Sequence, residues 1–592
     1  MRVVDGGTEF FKLNAIANCF FLGLCRLAPF AVSFVVEVQP GGQSLASTVV
    51  DSFLENAETR GDALFLKLNA ASSTRNYTFL EIRDLAYAYN AHFRAASLPR
   101  GSVLAIILTH GVDLYGAFLG AMMAGLVPTL MPFPTPKQDK ARYWTSHAEL
   151  FALSKIRAIL TYDENLDDAR RHFGAALDYL SSISQVDRTR ADARLDRHEV
   201  ALLQHSSGTT ALKKGVMLTH DAIHAQVKTY ARSIGVTAGS RFVTWLPLYH
   251  DMGLVSCFLM PMIIGCPIAH MDPFIWSARP TLLLDELVAF EGEYAWLPNF
   301  AYNHIVNCIR PSMQWDLSRV KAIIDCSEPC KAATFERFRA HPKLASLSPQ
   351  ALQVCYAMAE NVFAVTQTRL DESPRVIAVD PQSLREGRRI RLAEADAADA
   401  QPWLSCGRAI EGVGLRIIDR DGATLDEDGA IGEIAISGPC LYSGYHYRPE
   451  ITAQRLVDGW HRTGDVGFLL DGELYVTGRV DDLLILRGKN IYAHEVEEAV
   501  NALGVAIPGR IVAFSAPNET VGAEDLIILC ELSADAPDAK AKKAIRETID
   551  ATFGVTVSHI GAVAPGTLVK TTSGKLSRKD NRLMYLGSRH VA

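Results

Sequence analysis

Apolar and polar positions fall into blocks along this chain that predict alternating strands and helices. Between Leu45 and about Val200, residues 103–108 (VLAIIL) form a short unbroken apolar run, the pattern of a strand buried on both faces. Residues 116–125 (GAFLGAMMAG) mix small and large apolar side chains and predict a closely packed helix; residues 127–131 then read as the next strand. Such alternation predicts an α/β architecture with largely parallel sheets. A long apolar run at 254–265 follows, whereas 385–400 is charged and rich in Ala and Asp and reads as an exposed insertion. No stretch repeats at a period of about 20–50 residues, which excludes a solenoid. After Gly478-Arg479 the pattern changes to a short αβ module that runs to the end, so a domain boundary is placed at Asp481.

Length and composition narrow the class. A chain of 592 residues exceeds what one core supports, so two or more domains are expected. The formal net charge of -7 gives no basic surplus, which argues against a nucleic-acid partner. Cys326 and Cys330 are four apart, but no second pair or nearby histidine completes a zinc set, and the 11 cysteines read as reduced thiols of a cytoplasmic protein. Residues 15–36 are mostly apolar but are interrupted by Asn18, Arg26 and Pro29, unlike the roughly 20 apolar residues of a membrane span. Asp5 and Glu9 offset Arg2 and Lys12, unlike the basic start of a signal peptide. Residues 1–43 are therefore read as an N-terminal extension, either an over-extended start or a peripheral apolar helix, and no stable membrane span is expected.

Candidate chemistry lies in five strings. Residues 203–220 read LQHSSGTTALKKGVMLTH. Ser206 to Thr210 are small or hydroxylated, which lets backbone N–H groups and hydroxyls turn toward one anion, with Lys214 near to neutralise it. The spacing is not that of the P-loop, G-x-x-x-x-G-K-[ST], and the plain alternative is a Ser/Thr-rich surface loop. Then come WLPLYHDMG (245–253), DCSEP (325–329) with YAMAE (356–360), GWHRTGDVG (459–467) with GRVDD (478–482), and KTTSGKLSR (570–578). Each has an ordinary structural reading. His250 and Asp251 could cap the following helix. Glu360 could be a solvated helix carboxylate, and Lys575 a solvated tail lysine. The TGD string and Asp471-Gly472 could be two turns of a meander.

In this order the strings resemble those of the adenylate-forming (AMP-binding) superfamily of acyl-CoA synthetases, peptide-synthetase adenylation domains and luciferases, and WLPLYHDMG resembles the fatty acyl-AMP ligases in particular. The resemblance spans about 205–578. It implies a large domain (44–480) of two layered α/β subdomains and a small β-barrel-like subdomain, followed by a small mobile α+β lid (481–592). It also implies roles. Ser206, Thr209, Thr210 and Lys214 would hold the ATP phosphates. Ser327, Glu328 and Pro329 would line one edge of adenine, with Tyr356 on its face. Glu360 would bind Mg²⁺, and His250 would stand at the carboxylate end of the acyl pocket. Asp465 would accept both ribose hydroxyls, with Arg479 on the ribose or α-phosphate. Asp481 would be the hinge, and Lys575 would enter from the lid to meet charge in the transition state. The chain departs from the pattern at Ala211 and Ala357, where glycine is usual, and at Lys213, where proline is common; alanine is strained wherever φ must be positive.

The implied reaction activates a fatty acid with Mg·ATP to acyl-AMP and pyrophosphate, then passes the acyl group to a thiol. Between Glu360 and Gly407 lie 46 residues, about twice the interval usual in CoA ligases. The surplus, at about 371–402, matches in position an insertion typical of fatty acyl-AMP ligases. Residues 487–492 (RGKNIY) also resemble that group more than the CoA ligases. The expected acceptor is the phosphopantetheine thiol of a separate acyl carrier protein. A CoA ligase is the first alternative, since loops tolerate insertions, and a binding protein that has lost catalysis is the second. Phe258, Met260, Trp296 and Phe300 flank the pocket motifs and read either as an apolar substrate site or as ordinary core.

Overall fold

The apolar blocks become the inner strands of two α/β layers. In the computed structural model the chain is described over residues 47–589, apart from 71–72, 136–139, 206–213, 387, 395–396, 398–399, 487–488, 519–522, 535 and 571–575. Four parallel strands, in the order Val127–Leu130, Val103–Ile106, Ala158–Thr161 and Tyr179–Ser182, form one sheet. A nine-stranded sheet forms the second layer. Its interior strands Leu64–Asn69, Ile268–Met271, Phe242–Thr244, Tyr294–Leu297, Ala322–Asp325 and Leu352–Ala357 pair in parallel, and its outer strands pair antiparallel. All four residues of Val103–Ile106, Val127–Leu130 and Ala158–Thr161 are buried, which is why these segments read as unbroken apolar runs rather than as alternation.

The helix predicted at 116–125 is Val112–Met123, and small residues bring it onto the helix Phe79–Ala95. A Cβ on Gly120 would stand 2.5 Å from Tyr89 Cβ and 2.7 Å from the Ala86 carbonyl, so only glycine permits this approach. The aromatic residues near the pocket motifs divide. Phe258, Met260 and Trp296 are buried in the main core. The Trp296 indole lies parallel to Phe242 at 5.8 Å and donates to the Tyr230 hydroxyl at 3.1 Å. Their core reading holds, and Phe300 alone is half exposed.

A three-stranded sheet is formed by Val200–His205 and Gly215–Thr219, which flank the Ser/Thr-rich string in sequence, and Gly444–Tyr445. A five-stranded antiparallel sheet (Gly414–Ile418, Gly432–Ser437, Leu456–Val457, Trp460–Leu470, Glu473–Arg479) carries the TGD string. The insertion is a folded piece rather than a loose loop. Val376–Val379 pairs antiparallel with Gln401–Leu404. Ile377, Val379, Leu384 and Ile390 bury against Ile431 and against Phe468 and Tyr475 of the five-stranded sheet, and Arg375 reaches Asp471 at 2.6 Å. The exposed reading of 385–400 thus needs correction at Ile390, whose apolar side chain finds a core hidden from sequence because its partners lie 40–85 residues away.

Beyond Asp481, a hairpin of Leu483–Leu486 and Lys489–Tyr492 leads into the sheet Ala506–Asn518, Ala523–Leu532 and Val557–Val563 with helices Ala493–Ala502, Asp538–Phe553 and Arg578–Arg589. This segment has apolar clusters of its own. Among the described residues no helix is long and apolar enough to cross a membrane. The apolar stretch 15–36 lies outside the described residues.

Candidate active site

Three motif residues far apart in sequence meet through one carboxylate. The Tyr356 hydroxyl donates to Asp465 Oδ2 at 2.6 Å, and Arg479 Nε donates to Asp465 Oδ1 at 2.8 Å. Tyr356 is the last residue but one of the strand Leu352–Ala357, while Asp465 and Arg479 face each other across the antiparallel pair Trp460–Leu470 and Glu473–Arg479. Burial, and then the Asp465 charge, push the Tyr356 hydroxyl well above the ordinary phenol range, so it remains a donor. The same carboxylate raises the Arg479 guanidinium further. The turn reading of TGD needs correction: residues 460–470 are one continuous strand, and Gly464, with φ +77°, sits at a bulge in its pairing with Gly432–Ser437. The bulge interrupts the pairing with Gly432–Ser437 next to Asp465, which stays paired with Arg479 on the other side. Asp471-Gly472 is the hairpin turn, both residues having positive φ.

A second group forms around Glu360. Its Oε1 accepts from the Tyr445 hydroxyl at 2.8 Å, and its carbonyl accepts from the Tyr442 N–H at 2.9 Å. Lys214 Nζ lies over the Tyr445 ring, 5.1 Å from its centroid. The ladder explains the meeting: Tyr445 pairs with Val216, and the His446 N–H donates to the Gly215 carbonyl at 2.8 Å. Lys214 is partly buried, and burial first, then the charge of Arg455, hold its amine below the ordinary lysine value; Glu360 and Asp481 oppose this. Tyr442 and Tyr445 were not legible as site residues, because their string, LYSGYHY, carries no charged group. Ala357 keeps a negative φ, so alanine costs nothing there, whereas Ser327 takes φ +70°. Ala211 lies outside the described residues.

The remaining candidates take structural partners. Asp251 caps the π-helical run Met252–Leu259, accepting from the Met252 N–H at 2.8 Å, and His250 Nδ1 lies 2.7 Å from Asp251 Oδ1. The helix-cap reading of this pair is therefore present in the structure, in a helix type that often marks functional sites. Ser327 Oγ lies 4.0 Å from Met252 Sδ, which brings DCSEP beside this helix. The Glu328 carboxylate accepts from the Phe300 N–H at 3.2 Å, at the start of helix Asn299–Cys308, while Pro329 is exposed. Ser206, Thr209, Thr210 and Lys575 lie outside the described residues. What flanks Lys575 is ordered by partners that sequence reasoning missed. Asn581, fully buried, accepts from the Val569 N–H and donates to the Val569 and Ser577 carbonyls. Arg578 makes a two-pronged pair with Glu497 and reaches Asp482 at 2.8 Å, tying the C-terminal helix to the residue after Asp481. The R of TSGK-x-x-R was the available signal.

This arrangement can hold a nucleotide: an acceptor for sugar hydroxyls at Asp465, a ring at Tyr356, and cations at Lys214 and Arg479. A phosphate-binding lysine acts only when protonated. Any activity that uses Lys214 as a cation for phosphate should therefore fall as pH rises through a value below the ordinary lysine pKa of about 10.4. The check is kcat/KM for ATP against pH in the wild type and in Lys214→Arg, whose guanidinium stays charged; the alkaline fall should move to higher pH in the variant.

The comparisons agree with this geometry. The AMP-binding enzyme family profile matches residues 53–446. The long-chain-fatty-acid–AMP ligase FadD32 of Mycolicibacterium smegmatis is 31% identical over 94% of this chain and 97% of its own. The medium-chain-fatty-acid–[acyl-carrier-protein] ligase JamA of Moorena producens is 26% identical over 91% and 95%. The putative fatty-acid–CoA ligase fadD25 of Mycobacterium tuberculosis is 28% identical over 80% of this chain and 85% of its own. A solved structure from a study of fatty acyl-adenylate ligases of E. coli and L. pneumophila superposes with TM-score 0.83 at 26% identity, covering 92% of this chain and 99% of that one. The chain belongs to the AMP-binding enzyme family, among its fatty acyl-AMP ligases, and is an AMP-forming carboxylate ligase.

Proposed function

We propose that this enzyme forms a fatty acyl-adenylate and delivers the acyl group to the phosphopantetheine thiol of a separate acyl carrier protein. The observation that carries the reading is the meeting of Tyr356 and Arg479 on Asp465 beside the Lys214–Tyr445–Glu360 group. In the first step a carboxylate oxygen attacks the α-phosphorus of ATP, the bond from α-phosphorus to the bridging oxygen breaks, and pyrophosphate leaves. Asp465 accepts from the ribose hydroxyls while Arg479, donating to Oδ1, keeps that carboxylate directed. Tyr356, fixed at its hydroxyl end, presents its ring to adenine. Lys214 neutralises phosphate charge, Ser206, Thr209 and Thr210 supply donors, and Lys575 meets the charge that develops.

Glu360 fits a magnesium ligand. Its oxygens are the hard donors Mg²⁺ prefers, and one is held in place by Tyr445, as outer-shell partners do for ligating carboxylates. Bound there, Mg²⁺ would supply charge neutralisation to the phosphate oxygens. In the second step the thiol attacks the acyl carbonyl and AMP departs. Residues 481–592 serve as the lid, with Asp481 at its hinge, and dependence on ATP suits a cytoplasmic enzyme. The role of His250 is to stand at the carboxylate end of the acyl site, oriented by Asp251.

Carrier protein is favoured over CoA because the 371–402 insertion is folded against the five-stranded sheet rather than loose, and because relatives named as AMP ligases and as a carrier-protein ligase span nearly the whole chain. The test is product identification by mass after incubation with Mg·ATP and fatty acids, with CoA or with a holo-carrier protein. Acyl-AMP should persist with CoA and be consumed by the carrier. Rapid acyl-CoA formation would make the enzyme a CoA ligase.

A further inference from the structure

Arg455 lies beside the nucleotide site without a short partner of its own. It ends the helix Pro449–Arg455, which is docked on the site because Thr452 Oγ1 accepts from the Tyr445 N–H at 2.9 Å. Tyr445 carries Lys214 over its ring and is bonded to Glu360. On its other side, Arg455 Nη1 is 3.0 Å from where a Cβ of Gly464 would stand, one residue before Asp465. The helix that carries Arg455 thus touches one group of site residues, and the guanidinium lies against the glycine that precedes Asp465 of the other.

Its contacts are weak. Nη1 meets Glu433 Oε1 and the Arg462 carbonyl at 3.4 Å each. Glu433 is already taken: Arg462 donates to its Oε2 at 3.0 and 2.7 Å, and the Gly464 N–H donates to its Oε1 at 2.9 Å. The Arg455 side chain keeps 31% of its exposure. Its charge lowers the Lys214 amine and the buried His461 imidazole, in each case second to burial or to other groups. Two cations facing one site, one of them weakly paired, form a place for a polyanion, and arginine binds phosphate through several donors at once.

We infer that Arg455 is a second phosphate-binding cation of this site and holds the pyrophosphate as it leaves. The inference rests on the nucleotide reading above. An ordinary role for the same residue exists, since a basic side chain at a helix C-terminus meets the helix dipole favourably; the experiment separates the two. Pyrophosphate is titrated as product inhibitor of acyl-AMP formation in the wild type, Arg455→Ala and Arg455→Lys, and ligand-free thermal unfolding is recorded for each. In Arg455→Ala the pyrophosphate inhibition constant should rise at least about tenfold, the effect of one charge-assisted bond. KM for the fatty acid and the ligand-free unfolding midpoint should stay at wild-type values, and Arg455→Lys should recover part of the loss. An inhibition constant within twofold of wild type in Arg455→Ala would overturn the inference. So would a loss matched in both variants by a lowered ligand-free midpoint, which is the mark of a helix prop. A wild type that forms no acyl-adenylate would instead overturn the reading of the site, and the inference with it.

Discussion

Asp465→Ala should lower kcat/KM for ATP at least about 100-fold, the largest effect expected of any described residue. Hydrogen bonds to a charged group contribute roughly 1.5–3 kcal/mol each, and the variant loses the acceptor for two ribose hydroxyls. It also releases Tyr356 and Arg479, each of which donates to this carboxylate. The stability cost should be smaller, about 1–3 kcal/mol, because Arg479 stays 41% exposed and water can take up its charge. Asp465→Asn keeps one acceptor and should fall between the two. Initial rates of acyl-AMP formation against ATP concentration, with urea unfolding alongside, check both parts. Adenylation within threefold of wild type in Asp465→Ala would contradict the ribose assignment.

The second large effect is expected at Glu360. Glu360→Gln preserves an oxygen for the Tyr445 hydroxyl, so the local structure should survive. What it removes is the charge that would draw Mg²⁺, and metal neutralisation of phosphate contributes several kcal/mol to such reactions. Turnover should therefore fall about 100-fold at low Mg²⁺ and recover in part as Mg²⁺ is raised. Pyrophosphate release measured across a magnesium titration gives the answer. An unchanged magnesium dependence would assign Glu360 to support of Tyr445 alone.

The sequence made the α/β layers legible because strands buried on both faces leave unbroken apolar runs, as in Val103–Ile106 and Val127–Leu130. It made Asp465, Arg479, Glu360 and Lys214 legible because each stands in a short, charged string. It could not show what joins them. Tyr445 meets Lys214 through a ladder between Gly215–Thr219 and Gly444–Tyr445, more than 200 residues apart, and no local pattern encodes that pairing. Ile390 lay in a charged stretch whose apolar partners, Phe468 and Tyr475, are likewise remote. The TGD string looked like a turn because Gly-Asp favours turns; the long antiparallel ladder instead absorbs the glycine as a bulge. Trp296 could be pocket or core on its residue type alone, and its stacking on Phe242 decides for core.

Gly120 and Arg578 show the two ways a single residue can be informative. The glycine-rich helix predicted its own close packing, and the contact with Ala86 and Tyr89 bears that out. Arg578 was visible in TSGK-x-x-R, yet its partners Glu497 and Asp482 could be found only in three dimensions.

The most direct test of the account is fatty-acid-dependent exchange of labelled pyrophosphate into ATP by the purified wild-type protein, with medium- and long-chain acids compared with no acid. The account predicts exchange that requires both Mg²⁺ and the fatty acid and that disappears in Asp465→Ala. No exchange with any acid, from protein that is folded, would contradict it.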